Sequence, residues 1–296
     1  MRLLWSFLLT LLYIVAAIAT IVTAFQAWYA KTGSEGRVAV VGVLIVAGCL
    51  LVIAVGQQLY LGRRARYAAI VPALNRIHGD LQSSLSGAVS LDVIRNTCVK
   101  VVDELAGILL RTTGRECAVC IKVVAAEKKA KSGQPNRLRV VTLCRSRSSG
   151  DRETTSKAGA HWIDQNTDFE ELFATTNRAF FENTLPFLRD YKNSSFAVYG
   201  QPFSLGIPVA GDLIRYWTWP LPYRSTLVSA ILPNPTESEN SESVRGLVGY
   251  LCADCRSGWA FHSLDLDLVM GLAQSLYKTV HVYQKKRSEN QRGRIR

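Results

Sequence analysis

Residues 246–277 read GLVGYLCADCRSGWAFHSLDLDLVMGLAQSLY, and a change of period inside this stretch decides the fold. Up to Cys255 the segment is short, apolar and bounded by Gly246 and a polar Arg-Ser-Gly turn, as a buried strand is. From Ser263 onward Leu266, Val269, Leu272, Leu276 and Val280 fall three and four apart, which makes one stripe of an amphipathic helix. Ser263 is the expected N-cap, with Asp265 and Asp267 near the positive end of the helix dipole.

Upstream, STLVSAILP (225–233) is a second strand, joined to the first through the acidic loop NPTESENSES at 234–243. At the other end of the region, SLDVIRNTCVKVVDELAGILLRTTG (90–114) predicts a helix with Ser90 as N-cap and Gly114 as its stop. ECAVCIKVVAA (116–126) and RLRVVTLCR (137–145) form a hairpin around a basic loop at Lys128, Lys129 and Lys131. Residues 145–159 read as a polar loop, and 168–181 as a short helix with Phe169, Leu172, Phe173 and Phe180 inward.

The expected fold class is therefore α+β, an antiparallel sheet flanked by N- and C-terminal helices. Helix, hairpin, irregular insert, hairpin, helix is the element order of GAF domains, and the sequence resembles that family as well. ENTLPFLRDYKNSSF (182–196), WPLPYRSTLVSAI (219–231) and the opening stretch carry the resemblance. It includes a Gly-x-Leu-x-x-Asp-like strand from Gly249 to Asp254, then Phe261 and Asp265 at the last helix. The resemblance implies a sensing or scaffolding module rather than a given ligand. The Asn-Lys-Phe-Asp-Glu run of cyclic-nucleotide-binding members is missing, and no cysteine stands in a bilin-attachment context.

The N-terminal end reads differently. Residues 3–30 and 38–62 contain no charge, and each run exceeds the roughly 20 residues needed to cross a bilayer. Two transmembrane helices are expected over 1–62. Arg2, Arg63, Arg64 and Arg66 place both termini in the cytoplasm of a bacterial-type inner membrane, with a short external turn. A helical linker at 63–89 follows. Tyr67, Ile70, Leu74, Ile77 and Leu81 form its candidate homodimer seam, interrupted by Pro72; a lone helix lying on the membrane is the alternative. The GAF-like domain is expected over 90–286 and a disordered basic tail over 287–296.

The chain has 296 residues, 48% of them apolar, and a formal charge of +12, which leaves anionic lipid, acidic ligands and nucleic acid open as partners. The basic residues are scattered and lack an aromatic-plus-basic strand pattern, so nucleic acid is not the expected partner. Seven cysteines are too few for a disulfide framework and fit a reducing compartment. No Walker, dinucleotide, HExxH or GxSxG motif is present, so an enzyme is not expected and no cofactor is assigned.

Candidate ligand-binding residues are Arg145, Asn166, Asp168, Asn193, Ser195, Tyr223, Arg224 and Ser225. The arginines can fork onto a phosphate or carboxylate, and the short polar residues can read a ligand's edge. Turn formation and capping use the same residue types. Cys117, Cys120, Cys252 and Cys255 have the paired spacing of zinc sites, yet on strands residues three apart face opposite ways. Buried apolar cysteine is the alternative. Three functions stay open: a membrane-anchored sensor that binds a small ligand or dimerises, a ligand-free membrane scaffold for protein partners, and a two-helix membrane effector gated by a nucleotide signal.

Overall fold

The computed structural model describes residues 15–23, 26, 34–85, 90–126, 138–148, 161–175, 177–188, 190–203, 208–233 and 246–293. The basic loop at Lys128–Lys131, the acidic loop at 234–243 and much of the first apolar run lie outside the described residues. The chain divides into two compact units, Met1–Val71 and Pro72–Arg296.

In the first unit, residues 15–23 are helical and Ser34–Ala68 forms one continuous helix, α1. Ala17, Ala47 and Ala54 are buried, whereas Ile45, Val46, Val52 and Ile53 are exposed. Side chains at 34–44, 58–61, 63 and 64 are outside the described set. Among the described residues no helix is long and apolar enough to cross a membrane.

The continuous helix expected over 63–89 is instead broken at 69–70, before α2 (Val71–Ser83). In an unbroken helix the ring of Pro72 would meet the carbonyl of Ala68, and its missing N–H is harmless only in a first turn. Ile77 and Leu81 of the expected dimer seam are buried within the single chain, along with Ala73. Arg76 Nε lies 3.7 Å from Glu104 Oε1 beside them.

The second unit is built on a six-stranded antiparallel sheet: β1 (Cys117–Ala126), β2 (Leu138–Arg145), β3 (His161–Trp162), β4 (Ala179–Glu182), β5 (Ser225–Ile231) and β6 (Gly249–Cys255). The order is β3-β2-β1-β6-β5-β4. Central β5 is buried at every position and β6 at all but Asp254, as strands covered on both faces must be. Gly249 is fixed by a close approach: a Cβ there would run into the carbonyl oxygen of Lys122 on β1. Between β1 and β2 the register slips after Ile121, leaving Leu143 as the bulged residue before Arg145.

One face of the sheet carries α3 (Leu91–Thr113) and α7 (Ser263–Gly293). Helix α3 starts and stops as its sequence predicts. Ser90 Oγ accepts from the Val93 N–H, and Gly114 ends the helix in the left-handed region at φ 71°. The cap of α7 differs from expectation. His262, not Ser263, is the N-cap: its carbonyl accepts from the N–H groups of Asp265 and Leu266. Asp265 Oδ2 returns a bond to the His262 N–H at 2.9 Å, and Oδ1 accepts 2.7 Å from Thr112 Oγ1 at the end of α3. A carboxylate that serves two elements outcompetes the serine hydroxyl. The tail expected to be disordered from 287 is helical through Gly293, since Lys285, Lys286, Glu289 and Arg292 are all good helix formers.

The opposite face is covered by the insert. The helix expected over 168–181 stops at Ala174, giving α4 (Thr167–Ala174). Thr175 turns extended at φ −114°, and Phe180 joins edge strand β4, because pairing with β5 satisfies the backbone there. Short helices α5 (Phe196–Tyr199) and α6 (Pro208–Trp217) follow. Beneath them Phe180, Tyr191, Phe196 and Trp219 make an aromatic cluster, with the Phe196 and Trp219 rings edge-on at 5.7 Å.

Candidate ligand-binding site

Between this insert and the central strands is a cavity of about 80 Å³. The strands supply its floor by alternation: Cys120 and Lys122 from β1, Cys252 and Asp254 from β6, Val228 from β5, with Arg145 from the end of β2. The insert supplies the walls through His161, Asn166, Asp168, Asn193, Ser194, Ser195 and Tyr199.

Of the residues expected from the sequence, Arg145, Asn166, Asp168, Asn193, Ser195 and Tyr223 line this cavity. Arg224 and Ser225 do not. Tyr223 and Arg224 are neighbours at a strand entrance, so their side chains diverge. The Arg224 guanidinium sits 4.1 Å from the centre of the Tyr216 ring, and its Nη2 donates to the Tyr216 carbonyl at 3.2 Å. Ser225 is fully buried, with its hydroxyl 2.8 Å from the Ser257 carbonyl and 3.0 Å from that of Asn183. Both serve the packing of the strand entrance.

Asn166 and Asn193 act as wall supports. Asn166 Nδ2 donates to the Trp162 carbonyl at 2.7 Å, and its Oδ1 accepts from the N–H and the hydroxyl of Ser194. Asn193 Oδ1 accepts from the Ser195 N–H at 2.8 Å, the local turn that asparagine favours. Its Nδ2 donates to the hydroxyls of Tyr223 at 2.9 Å and Tyr191 at 3.1 Å. These bonds hold residues 161–166, 191–195 and 223 as one frame.

Charge within the frame is mixed, since the acids Asp168 and Asp254 line the cavity as well. Two cations, Lys122 and Arg145, reach the cavity. The Lys122 ammonium lies 4.8 Å from the Phe169 ring centre, and Arg145 Nε is buried with no hydrogen-bond partner among the described residues. Burial pushes the Asp168 carboxyl up to about 7, against the pull of Lys122, so near neutrality it is partly protonated. Burial, reinforced by Lys122 and Arg145, pushes His161 down to about 3 and keeps the ring neutral. His161 Nδ1 and Ser194 Oγ are hydrogen-bonded. With the Ser194 proton given to Asn166, the histidine is the donor in that bond.

The four CxxC cysteines do not converge. Cys117 stands opposite Cys255 and Cys120 opposite Cys252 across β1 and β6. The first pair lies on the helix face, where Cys117 Sγ is 4.0 Å from Thr113 Oγ1 of α3, and the second lies in the cavity. Among the described residues no three histidine, cysteine or acidic side chains are grouped as metal ligands.

Sequence reading missed Lys122, Asp254, Cys120 and Cys252 as cavity residues. A signal for the first was present: a lone lysine inside the apolar run CAVCIKVVAA, on the same strand face as Cys120.

The architecture is α+β and GAF-like: a curled antiparallel sheet with its first and last helices on one face and an irregular, cavity-forming insert on the other. Solved structures similar to this chain include one described as the structure of the GAF domain, at 11% identity, covering 70% of this chain and 86% of that one, with a TM-score of 0.38. A bacteriophytochrome from the photosynthetic bacterium R. palustris is 12% identical over 73% of this chain and 38% of its own, at a TM-score of 0.36. A cyanobacteriochrome GAF domain is 13% identical over 67% and 98% of the respective chains, at 0.30. No family model matches the sequence, and no curated protein does.

Proposed function

We propose that the chain is a membrane-anchored regulatory protein whose GAF-like domain binds a small anion in the cavity on the inner face of its sheet. The observation that carries this reading is the convergence of Lys122 and Arg145 on one cavity, with a buried Arg145 Nε lacking a hydrogen-bond partner among the described residues. An unmet buried donor costs about 1–3 kcal/mol, which a carboxylate or phosphate oxygen would recover. The ligand is compact: about 80 Å³ is well short of the several hundred Å³ of drug-sized ligand sites.

Anchoring rests on the two apolar runs of residues 3–30 and 38–62. Support comes from burial within the first unit, where Ala17, Ala47 and Ala54 are inside while Ile45, Val46, Val52 and Ile53 are outside. The distribution of arginines supports a cytoplasmic regulatory domain beneath a bacterial-type inner membrane. The buried stripe of α2 favours ligand binding over self-association through that helix. A docking role for protein partners draws on a separate observation, the exposed Phe203, Leu213 and Trp217.

The test is calorimetric titration of the full chain in detergent micelles with inorganic phosphate and with short carboxylates. Binding of one anion class, weakened about ten-fold or more by Lys122→Met or Arg145→Met, is the expected result. Absence of binding by both classes, or affinity indifferent to both substitutions, overturns it.

A further inference from the structure

The anion reading gives no role to the two cysteines of the cavity. Cys120 and Cys252 are direct cross-strand partners on β1 and β6, and both line the cavity. Directly opposed residues of an antiparallel pair have Cα atoms about 4.5–5.5 Å apart, within the roughly 4.4–6.8 Å that a disulfide spans. Two other cysteine pairs exist, Cys117 with Cys255 and Cys98 with Cys144, but none of these four lines the cavity. Lys122 and Arg145 share the cavity with the Cys120–Cys252 pair, and cations beside a thiol favour its thiolate, the reactive form.

We propose that Cys120 and Cys252 form a two-electron thiol site that hydrogen peroxide, entering the cavity, converts to a disulfide. The Cys120 thiolate attacks one peroxide oxygen. The O–O bond breaks, an S–O bond forms, and the departing hydroxide takes up the proton released by the thiol to leave as water. The Cys252 sulfur then attacks the sulfenic sulfur. An S–S bond forms, the S–O bond breaks, and the second oxygen leaves as water with the Cys252 proton. Two thiols lose two electrons and one peroxide becomes two waters. Peroxide is only about twice the size of water and fits where larger ligands do not. The direction of the Cys120 acidity agrees: the neighbouring Cys252 thiol, assisted by Lys122 and Arg145, brings it down to about 6. The Cys252 thiol is pushed up, so it enters the second step as the protonated partner. The site does not depend on the anion reading.

The experiment uses the full chain, purified reduced in detergent micelles and titrated with hydrogen peroxide from equimolar to excess. Remaining thiols are then alkylated and the chain digested with trypsin. Trypsin leaves Cys117 with Cys120 in residues 116–122, and Cys252 with Cys255 in residues 246–256. The linkage is therefore assigned by fragmenting the joined peptides between the cysteines, and again in a Cys117→Ser, Cys255→Ser chain. The expected first product is the Cys120–Cys252 disulfide, with loss of two alkylatable thiols per chain. In Cys252→Ser the same dose should leave a sulfenic acid on Cys120 that dimedone traps. A first disulfide at either other pair overturns the proposal. So does full alkylation of Cys120 and Cys252 at a dose that oxidises glutathione in the same tube. The wild-type mapping decides the matter even if a serine variant fails to fold.

Discussion

Asp168 and His161 face one cavity with protonation equilibria displaced in opposite senses, and the pH dependence of stability should expose both. Asp168 moves from an ordinary 3.8 up to about 7 on folding. The folded state therefore holds a proton that the unfolded state has lost between those values. Stability falls as pH rises through that window, by about 1.4 kcal/mol per unit and on the order of 4 kcal/mol in all. His161 moves from 6.5 down to about 3. Here the unfolded state binds the extra proton, so stability rises with pH from about 3 to 6.5 with a similar slope and opposite sign. In the wild-type chain the two contributions nearly cancel between 3.8 and 6.5. Removing either one should unmask the other. Asp168→Asn is expected to gain stability relative to wild type at pH 7 and above, with a slope steeper by about +1.4 kcal/mol per pH unit between 4 and 6.5. His161→Gln should change the slope by about the same amount in the negative direction. Denaturant unfolding of the full chain in detergent, followed by tryptophan fluorescence at half-unit pH steps, reads both slopes. Groups other than these two contribute equally to all three proteins and drop out of the comparison. If both variants keep the wild-type slope, the two groups are not buried in the way described. The frame drawn around the cavity is then wrong.

Three further outcomes follow from the packing. Gly249→Ala should lower stability by about 1–3 kcal/mol in a thermal melt, because its Cβ forces β6 away from the Lys122 carbonyl. Ile77→Ala should cost about 2–5 kcal/mol by the same assay while leaving the sedimentation behaviour of the chain unchanged, since Ile77 is buried within the protomer. Asp265→Ala should cost about 2 kcal/mol or more, as it removes the acceptor of the His262 N–H at the start of α7 and leaves the Thr112 hydroxyl without its carboxylate.

The strands and both long helices were legible because each is written in a single period: Leu266 to Val280 at three and four, Val119 to Val123 by alternation against Cys120 and Lys122. The cavity was half legible. Asn166, Asn193 and Ser195 announce turns in any context, and those turns happen to form the wall. Arg224 was misplaced because a one-residue choice of where β5 begins decides which of Tyr223 and Arg224 faces inward. Asp254 and Lys122 were hidden for the converse reason: inside an apolar strand a charge reads as an interruption until its neighbours across the sheet are known. The end of α4 and the cap of α7 depend on β5 and on Thr112, partners distant in sequence that no local pattern names.

The central strands have no spare thickness. Cys120 and Lys122 of β1 touch the cavity, while Val119, Ile121 and Val123, one peptide away, belong to the other buried face, where Cys117 meets α3. On β6, Cys252 and Asp254 alternate in the same manner with Leu251 and Ala253. The sheet is thus a wall one residue deep whose two sides share the same bricks. Nothing can press Lys122 or Cys120 outward without turning the peptides that seat Ile121 and Val119 under the opposite layer. That layer holds α3 and α7, and α3 is the element that continues back to α2.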